Sequence, residues 1–179
     1  MANFDQAHAF VKSAEGGYQA DPRDRGNWTG GRINYGKLVG TNWGISAPVL
    51  RAWRGRDVTA HEMQELAEEE AAAIYRRHYW DALALDDLQD QPLALLLYDG
   101  AVNQGVGLIR RAVLHTLGVL RVPPKGPETP QLIRQLNDLP AKAVHELVWQ
   151  YRRDRYPAAS PFYRGGLKRL EKLRRPSEV

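Results

Sequence analysis

Residues 92–102 read Pro92-Leu93-Ala94-Leu95-Leu96-Leu97-Tyr98-Asp99-Gly100-Ala101-Val102, an almost continuous run of apolar side chains. Proline is favoured in the first turn of a helix, because its missing N–H would have no partner there. A helix that is apolar on nearly every side is buried over most of its surface. We therefore expect residues 92–102 to form the central helix of a mainly α-helical core.

Most of the remaining chain shows helical periodicity. Asn3 and Gln6 are placed to cap a first helix, and Thr59 and Glu62 form a capping box. Apolar residues then recur at three- and four-residue spacing, which is typical of amphipathic helices. The predicted helices besides the central one are 3–15, 46–55, 59–75 as one long helix, 106–117, a short helix from 129, a longer one at 139–151, and a basic segment at 167–173.

Residues 18–45 differ from this pattern, because they combine glycine, asparagine and aromatic residues without helical periodicity. Two short runs, 32–35 and 37–39, suit strands separated by glycine turns. We expect a small β hairpin region here. The predicted fold class is therefore mainly α with a small β hairpin region.

The composition excludes several kinds of site. The 179-residue chain has no cysteine, which rules out disulfides, thiolate zinc sites and cysteine nucleophiles. None of its five histidines has a partner at metal-ligand spacing, and the sequence contains neither a dinucleotide fingerprint nor a phosphate-binding loop. We expect no metal and no organic cofactor.

Charge and linkers suggest partners and boundaries. The net charge of +4 favours a polyanionic partner in general. Nucleic acid, anionic lipid headgroups and acidic wall polymers all qualify, and charge alone does not choose among them. The basic segments 152–155 and 168–175 are expected to be solvated, and they are also candidates for weak contact with an anionic wall polymer or a membrane surface. A proline-rich stretch, 122–127, predicts a domain at 1–121 followed by a helical region at 122–179. We expect a monomer.

The N-terminal residues show no signal-peptide pattern, and no run approaches the roughly 18 apolar residues of a membrane span. We therefore expect a protein that is made in the cytoplasm and depends on a separate release step to act elsewhere.

Glu15 is the candidate general acid. It is expected in the last turn of the first helix, before Gly16 and Gly17, where the negative end of the helix dipole raises the pKa of a carboxyl group. Asp21 and Asp24 follow on a segment that must turn back over the helix end. A protonated carboxylic acid and a second polar group are what hydrolysis of a glycosidic bond requires. Taken alone, a glutamate before a glycine helix stop is more often an exposed surface residue.

Further motifs surround this glutamate. They are Glu15-Gly16-Gly17-Tyr18, Asp21-Pro22-x-Asp24-x-Gly26, Gly40-Thr41-Asn42-Trp43-Gly44-Ile45-Ser46, Tyr79-Trp80-Asp81, the stretch 98–105 and the stretch 126–129. In this order they resemble glycoside hydrolase family 108, N-acetylmuramidases of bacteria and phages with a lysozyme-like fold. A predicted peptidoglycan-binding region usually follows in that family. The resemblance covers nearly the whole chain and is strongest over 10–46 and 74–105.

The resemblance implies a lysozyme-like fold, with the hairpin region beside the active-site cleft, and hydrolysis of the β-1,4 bond between N-acetylmuramic acid and N-acetylglucosamine in bacterial peptidoglycan. It thus implies peptidoglycan as the partner, and no nucleic acid is expected. It assigns the general acid to Glu15 and water positioning to Asp24 and Thr41. Asp21 competes with Asp24, and Thr29, within an apparent insertion at 27–39, competes with Thr41. The expected substrate-binding residues are Tyr18, Asp21, Trp28, Asn42, Trp43 and Asn103.

Aromatic side chains give a further expectation, because sugar rings pack well on them. Trp28, Trp43 and Tyr35 are candidates for a saccharide groove, whereas Trp53, Trp80 and Trp149 lie on apolar helical faces and are expected to pack in the core.

Several alternatives stay open on the sequence. A lytic transglycosylase would need the glutamate without the water, and a non-catalytic module would bind wall polymer or nucleic acid. The stereochemical outcome is open, and so is the choice between a phage endolysin and a bacterial muramidase that serves secretion.

Overall fold

The structure, a computed structural model, describes residues 1–13, 16–121, 128–156 and 163–175. Its α-helices are α1 (Phe4–Lys12), α2 (Ala47–Arg54), α3 (Ala60–Gln64), α4 (Glu68–Tyr75), α5 (Gln91–Gln104), α6 (Val106–Val119), α7 (Thr129–Gln135), α8 (Ala141–Arg153) and α9 (Tyr163–Glu171). A π-helical turn, Arg76–Trp80, follows α4, and short 3₁₀ helices lie at Arg25–Asn27, Asp81–Leu83, Leu85–Asp87 and Leu136–Asp138. Strands β1 (Thr41–Asn42) and β2 (Ile45–Ser46) form an antiparallel hairpin. The predicted mainly α fold with a small β hairpin is confirmed.

The chain divides into two compact units, one of His8–Tyr75 and one of Met1–Ala7 with Arg76–Val179. Helices α7, α8 and α9 thus belong to the same unit as α5 and α6. This division does not coincide with the boundary predicted at 121/122, and a separate domain at 122–179 stays a prediction.

Helix α5 forms the centre of the larger unit and packs against α6 and α8. Its prediction as the core helix is confirmed, since Leu93, Leu96, Leu97 and Tyr98 are almost completely buried. The ring of Tyr98 meets the rings of Phe4 and Trp80 edge to face, with centroid distances of 5.6–5.7 Å among the three. Edge-to-face contacts of this kind stabilise a core beyond the area they bury.

None of the helices that the structure describes is both long enough and apolar enough to span a membrane.

A buried carboxylate joins α5 to α8 and α9. Asp99 accepts a hydrogen bond from the guanidinium of Arg152 at 2.7 Å and one from Nε of Arg169 at 2.6 Å. Arg152 is completely buried and also donates to the carbonyl of Leu96 and to the side chain of Gln104. The expectation that the basic segments 152–155 and 168–175 are solvated throughout is therefore wrong for Arg152 and Arg169, which neutralise a buried charge.

The β1–β2 hairpin lies in the smaller unit, and its turn contains Trp43 and Gly44, both with positive φ. Two-residue hairpin turns of this kind match the twist of the strands. A tryptophan in the left-handed region is strained. It is held there by two hydrogen bonds, from its backbone N–H to Oδ1 of Asn42 and from its indole Nε1 to the carbonyl of Leu66.

The capping box at Thr59 and Glu62 is confirmed, but the prediction of one long helix from 59 to 75 is wrong. The chain leaves helical geometry between α3 and α4. The side-chain amide of Asn42 donates to the carbonyls of Met63 and Gln64. The indole N–H of Trp43 donates to the carbonyl of Leu66. Side chains from the hairpin thus satisfy carbonyls at the end of α3, so that the helix stops there.

The strands predicted at 32–35 and 37–39 are also not formed. This segment instead makes isolated bridges, Arg32 to Tyr35 and Trp28 to Leu38, around a compact loop. Gly31, Asn34 and Gly36 all have positive φ, which interrupts the extended backbone that a strand needs.

The predicted start of α1 and the predicted end of α2 are confirmed. The side chain of Asn3 accepts from the N–H of Gln6 in α1, and Gly55 ends α2 in the left-handed conformation. Of the tryptophans expected to pack, Trp80 and Trp149 are buried, whereas Trp53 is 39% exposed on α2, which corrects that prediction.

His145 on α8 is buried, and neither of its ring nitrogens bonds to a described residue. Burial, and then the positive charge of Arg175, lower the pKa of His145 from 6.5 to about 4, against the opposing effect of Asp90 and Glu146. The folded protein therefore keeps this side chain neutral.

Acid should destabilise the protein through His145. Between about pH 6.5 and pH 4 the unfolded chain binds a proton at this position that the folded chain excludes, so the free energy of unfolding falls as the pH falls through that window. The fall is at most roughly 3 kcal/mol for a shift of this size. We expect His145→Leu to lose less stability than the parent between pH 7 and pH 4 in urea denaturation, and an unchanged pH dependence would contradict this assignment.

Candidate functional site

Glu15, the predicted general acid, lies outside the described residues, so its role stays a prediction. Helix α1 ends at Lys12, earlier than the predicted end at 15. Gly16 and Gly17, which follow Glu15, are exposed. A Cβ built on either glycine would meet no atom within 4 Å, so the chain beside Glu15 has open space around it.

Asp24 caps the short 3₁₀ helix Arg25–Asn27 and is exposed. Its Oδ1 accepts from the N–H of Gly26 at 2.8 Å, and its Oδ2 accepts from Nε2 of Gln19 at 3.2 Å. The carboxylate is thus held by one hydrogen bond on each oxygen, while much of it faces solvent.

Thr41, at the start of β1, donates its hydroxyl to Oδ1 of Asn27 at 2.6 Å. The Asn27 side chain is completely buried and makes further hydrogen bonds. Its Nδ2 donates to Oε1 of Gln19 at 2.8 Å and to the carbonyl of Asp21 at 2.9 Å. Since Nδ2 faces two oxygen acceptors, the orientation of the amide is defined, and Oδ1 is the atom that faces Thr41.

Gln19 connects the two halves of this network. Its Nε2 donates to both Asp24 and Oδ1 of Asn27, and its backbone pairs with that of Thr41 in both directions. Asp24 and Thr41, the two predicted water-positioning residues, are therefore linked through the side chains of Gln19 and Asn27. The sequence interpretation missed both amides, because nothing in a polar loop marks Asn27 as buried or marks the exposed Gln19 as its partner.

Asp21, the competitor of Asp24, is engaged differently. The guanidinium of Arg23 binds both of its carboxylate oxygens, with the shortest contact at 2.7 Å. These bonds, and one from the N–H of Arg23, lower the pKa of Asp21 to about 2. Both oxygens of the Asp21 carboxylate are therefore already bonded to Arg23.

Thr29, the competitor of Thr41, is buried in the loop. Its hydroxyl accepts from the N–H of Lys37 at 2.9 Å, and a Cβ on Gly36 would lie 2.3 Å from that oxygen. The hydroxyl of Thr29 therefore serves the loop backbone.

The predicted substrate-binding residues fall into two groups. Tyr18 and Trp28 are partly exposed, and their polar atoms donate to the carbonyls of Val39 and Pro22. Trp43 is partly exposed as well, with the ammonium of Lys12 lying 5.6 Å from its ring centroid.

Two predicted contacts are used within the fold. Asn42 is buried, and its amide is fully engaged with α3 and Trp43. Asn103 belongs to the other compact unit and donates to Asp99. The network is thus built within His8–Tyr75, from Gln19, Asp24, Asn27 and Thr41.

In the part of the chain that the structure describes, no group of three or more histidine, aspartate or glutamate side chains could hold a metal ion.

Comparison with known proteins identifies a family and a solved structure that are similar to this chain. The family described as "Glycosyl hydrolase 108" matches residues 8–105, which include the whole network. A solved structure titled "Structure of Brucella abortus SagA" is 29% identical, with a TM-score of 0.66, and the alignment covers 96% of this chain and 91% of that chain. No curated protein sequence matches. The resemblance inferred from the motifs is confirmed.

The buried amide of Asn27 should be the main source of stability in this network. Asn27→Leu keeps the size of the side chain but removes its hydrogen bonds to Gln19, Thr41 and Asp21, leaving these groups without their partner. We expect a loss of about 3 kcal/mol in the free energy of unfolding, measured by urea denaturation. Thr41→Val, which removes one of these bonds, should cost about 1 kcal/mol, and equal losses for the two variants would contradict this interpretation.

Proposed function

Because the chain belongs to glycosyl hydrolase family 108 and is a glycoside hydrolase, we propose that it cleaves the glycan strands of bacterial peptidoglycan. The bond cut is the β-1,4 linkage between N-acetylmuramic acid and N-acetylglucosamine. The observation that carries the proposal is the network that links Asp24 to Thr41 through Gln19 and Asn27 within the matched segment. Asp24 supplies the proposed carboxylate, and Thr41 the proposed hydroxyl, for the attacking water.

Glu15 is the proposed general acid. It gives its proton to the glycosidic oxygen as the bond between that oxygen and the anomeric carbon breaks, and positive charge develops on the sugar. Open space at Gly16 and Gly17 supports this assignment, because a saccharide must approach the carboxyl group closely.

The attacking water is assigned to Thr41 and Asp24. A hydroxyl has one hydrogen, and that of Thr41 is already donated to Asn27, so Thr41 offers a water only lone pairs. A water that donates one hydrogen to Thr41 and the other to Asp24 keeps its own lone pair free for the anomeric carbon. Asp24 accepts the proton that the water loses and releases it to solvent, and solvent returns a proton to Glu15 after the product leaves.

The surroundings of the competing residues support the same choice. The charged guanidinium of Arg23 binds both oxygens of Asp21, whereas each oxygen of Asp24 accepts one hydrogen bond from a neutral N–H group. The hydroxyl of Thr29 accepts from the backbone of its own loop.

The helical region from 122 onward is proposed to add weak binding to the wall. Arg164, Lys168 and Lys172 recur at four-residue spacing along α9 and its end, and all are exposed. A row of cations on one side of a helix attracts an anionic polymer or membrane surface.

Replacement of the general acid tests the proposal. Glu15→Gln keeps the shape of the side chain but has no proton to give, so the rate of turbidity loss of purified cell walls should fall at least about a hundredfold. Glu65→Gln is the matched control, because Glu65 is an exposed glutamate in the same unit. An unchanged rate for Glu15→Gln rejects the mechanism. Mass spectrometry of the digest should show reducing ends, and anhydro-muramyl ends would instead identify a lytic transglycosylase.

The hydroxyl at position 41 supplies a second test. Thr41→Val removes the acceptor that positions the water, so kcat should fall on the order of a hundredfold with little change in KM. Thr41→Ser restores the hydroxyl and should recover most of the rate. Melting temperatures of both variants show whether any loss reflects unfolding, and similar rates for Val and Ser at position 41 would exclude the proposed water contact.

A further inference from the structure

An open groove with a volume of about 450 Å³ lies in the smaller unit, beside the 28–38 loop. It is lined by Thr29, Gly30 and Tyr35 of the loop and by Pro48, Arg51 and Arg56 on α2 and just beyond it. The volume is within the range of binding sites for small molecules. None of its residues belongs to the Asp24–Thr41 network.

Tyr35 is 66% exposed, but the loop fixes its position. Its ring lies against the α-carbon of Gly30, where a Cβ would come within 2.0 Å of the ring. The N–H of Gly30 donates to the carbonyl of Tyr35, and the preceding Asn34 has a φ of 60°. The contact with Gly30 and the left-handed turn at Asn34 thus hold a large aromatic ring in solvent, which is typical of a preorganised binding surface.

Arg51 faces the same groove and keeps most of its donors unused. Its Nε donates to Asp57 at 2.9 Å, and its two terminal nitrogens make no hydrogen bond to any described residue. Asp57 is shared with Lys37, so one carboxylate stands between two cations. The terminal nitrogens of a guanidinium match the two oxygens of a carboxylate.

Arg56 adds a further positive charge at this end of the groove, where it pairs with Glu62 and donates to the carbonyl of Asp57. An aromatic face and an incompletely neutralised guanidinium therefore line one groove. Sugar rings pack on aromatic faces, and carboxylates bind guanidinium groups, so the groove is complementary to a sugar that carries an acidic substituent.

We propose that this groove binds a peptide-bearing N-acetylmuramyl unit, with its sugar ring on Tyr35 and a carboxylate of its stem peptide on Arg51. The inference rests on the proposed function, and it adds a preference for glycan that still carries its acidic stem peptides.

Kinetics on two matched substrates test the proposal. One substrate is uncross-linked glycan whose stem peptides carry free carboxylates, and the other is the same glycan with those carboxylates converted to amides. We expect the parent protein to have a KM about tenfold lower for the glycan with free carboxylates. Arg51→Gln should bring the ratio of the two KM values close to one.

Companion variants separate the two parts of the groove. Tyr35→Ala should raise KM for both substrates several-fold, whereas Tyr35→Phe keeps the ring and should resemble the parent. Arg77→Gln is the control, because Arg77 is an exposed arginine of the other compact unit. A KM ratio near one in the parent, or the same ratio in the parent and Arg51→Gln, overturns the proposal.

Direct binding measurements distinguish failure of the groove proposal from failure of the proposed function. A soluble disaccharide whose stem peptide carries free carboxylates, and the same disaccharide with those carboxylates amidated, are titrated into Glu15→Gln, with NMR detection of the arginine Nε–H signals. We expect the ligand with free carboxylates to bind about tenfold more tightly and to shift the Arg51 signal. If the parent cuts neither glycan and this discrimination persists, the groove proposal stands and the proposed function fails. If the parent cuts both glycans and the two ligands bind equally, the proposed function stands and the groove proposal fails.

Discussion

A buried amide must find partners for both its oxygen and its nitrogen, and Asn27 is the buried amide on which the 18–46 segment depends. Its side chain bonds to Gln19, to the carbonyl of Asp21 and to Thr41, while its own backbone carbonyl accepts from Val39 and Gly40. Because these partners come from both ends of the segment, the chain has to return to Asn27 after the 28–38 loop. The link between Asp24 and Thr41 through Gln19 and Asn27 follows from that requirement.

The sequence predicted best what is decided within three or four residues. The helix starts at Asn3 and Thr59, the left-handed end at Gly55 and the apolar run of α5 are all local patterns, and the structure contains each of them. The break between α3 and α4 was missed because its cause, the side chains of Asn42 and Trp43, lies more than 20 residues away in the chain. Arg152 was taken for a solvated residue because its partner, Asp99, is 53 positions distant.

The candidate site shows the same division. Asp24 and Thr41 were found through motifs whose order resembles a known family, and neither periodicity nor composition would have singled them out. Gln19 and Asn27 carry no such mark, since amides in a polar loop are usually solvated. Only the fold brings Gln19, Asn27 and Thr41 into contact, and only that contact determines which way the hydroxyl of Thr41 points.

The buried ion pairs of Asp99 with Arg152 and Arg169 also bear on how the protein is made. The larger unit begins with Met1–Ala7 and resumes at Arg76, and Asp99 gains both partners only once residue 169 has left the ribosome. The smaller unit, His8–Tyr75, is continuous and is complete earlier, by about 5 to 20 seconds at typical rates of protein synthesis. Between the synthesis of Asp99 and that of its arginine partners, the carboxylate on α5 cannot be buried without cost, which disfavours early closing of the larger unit around it.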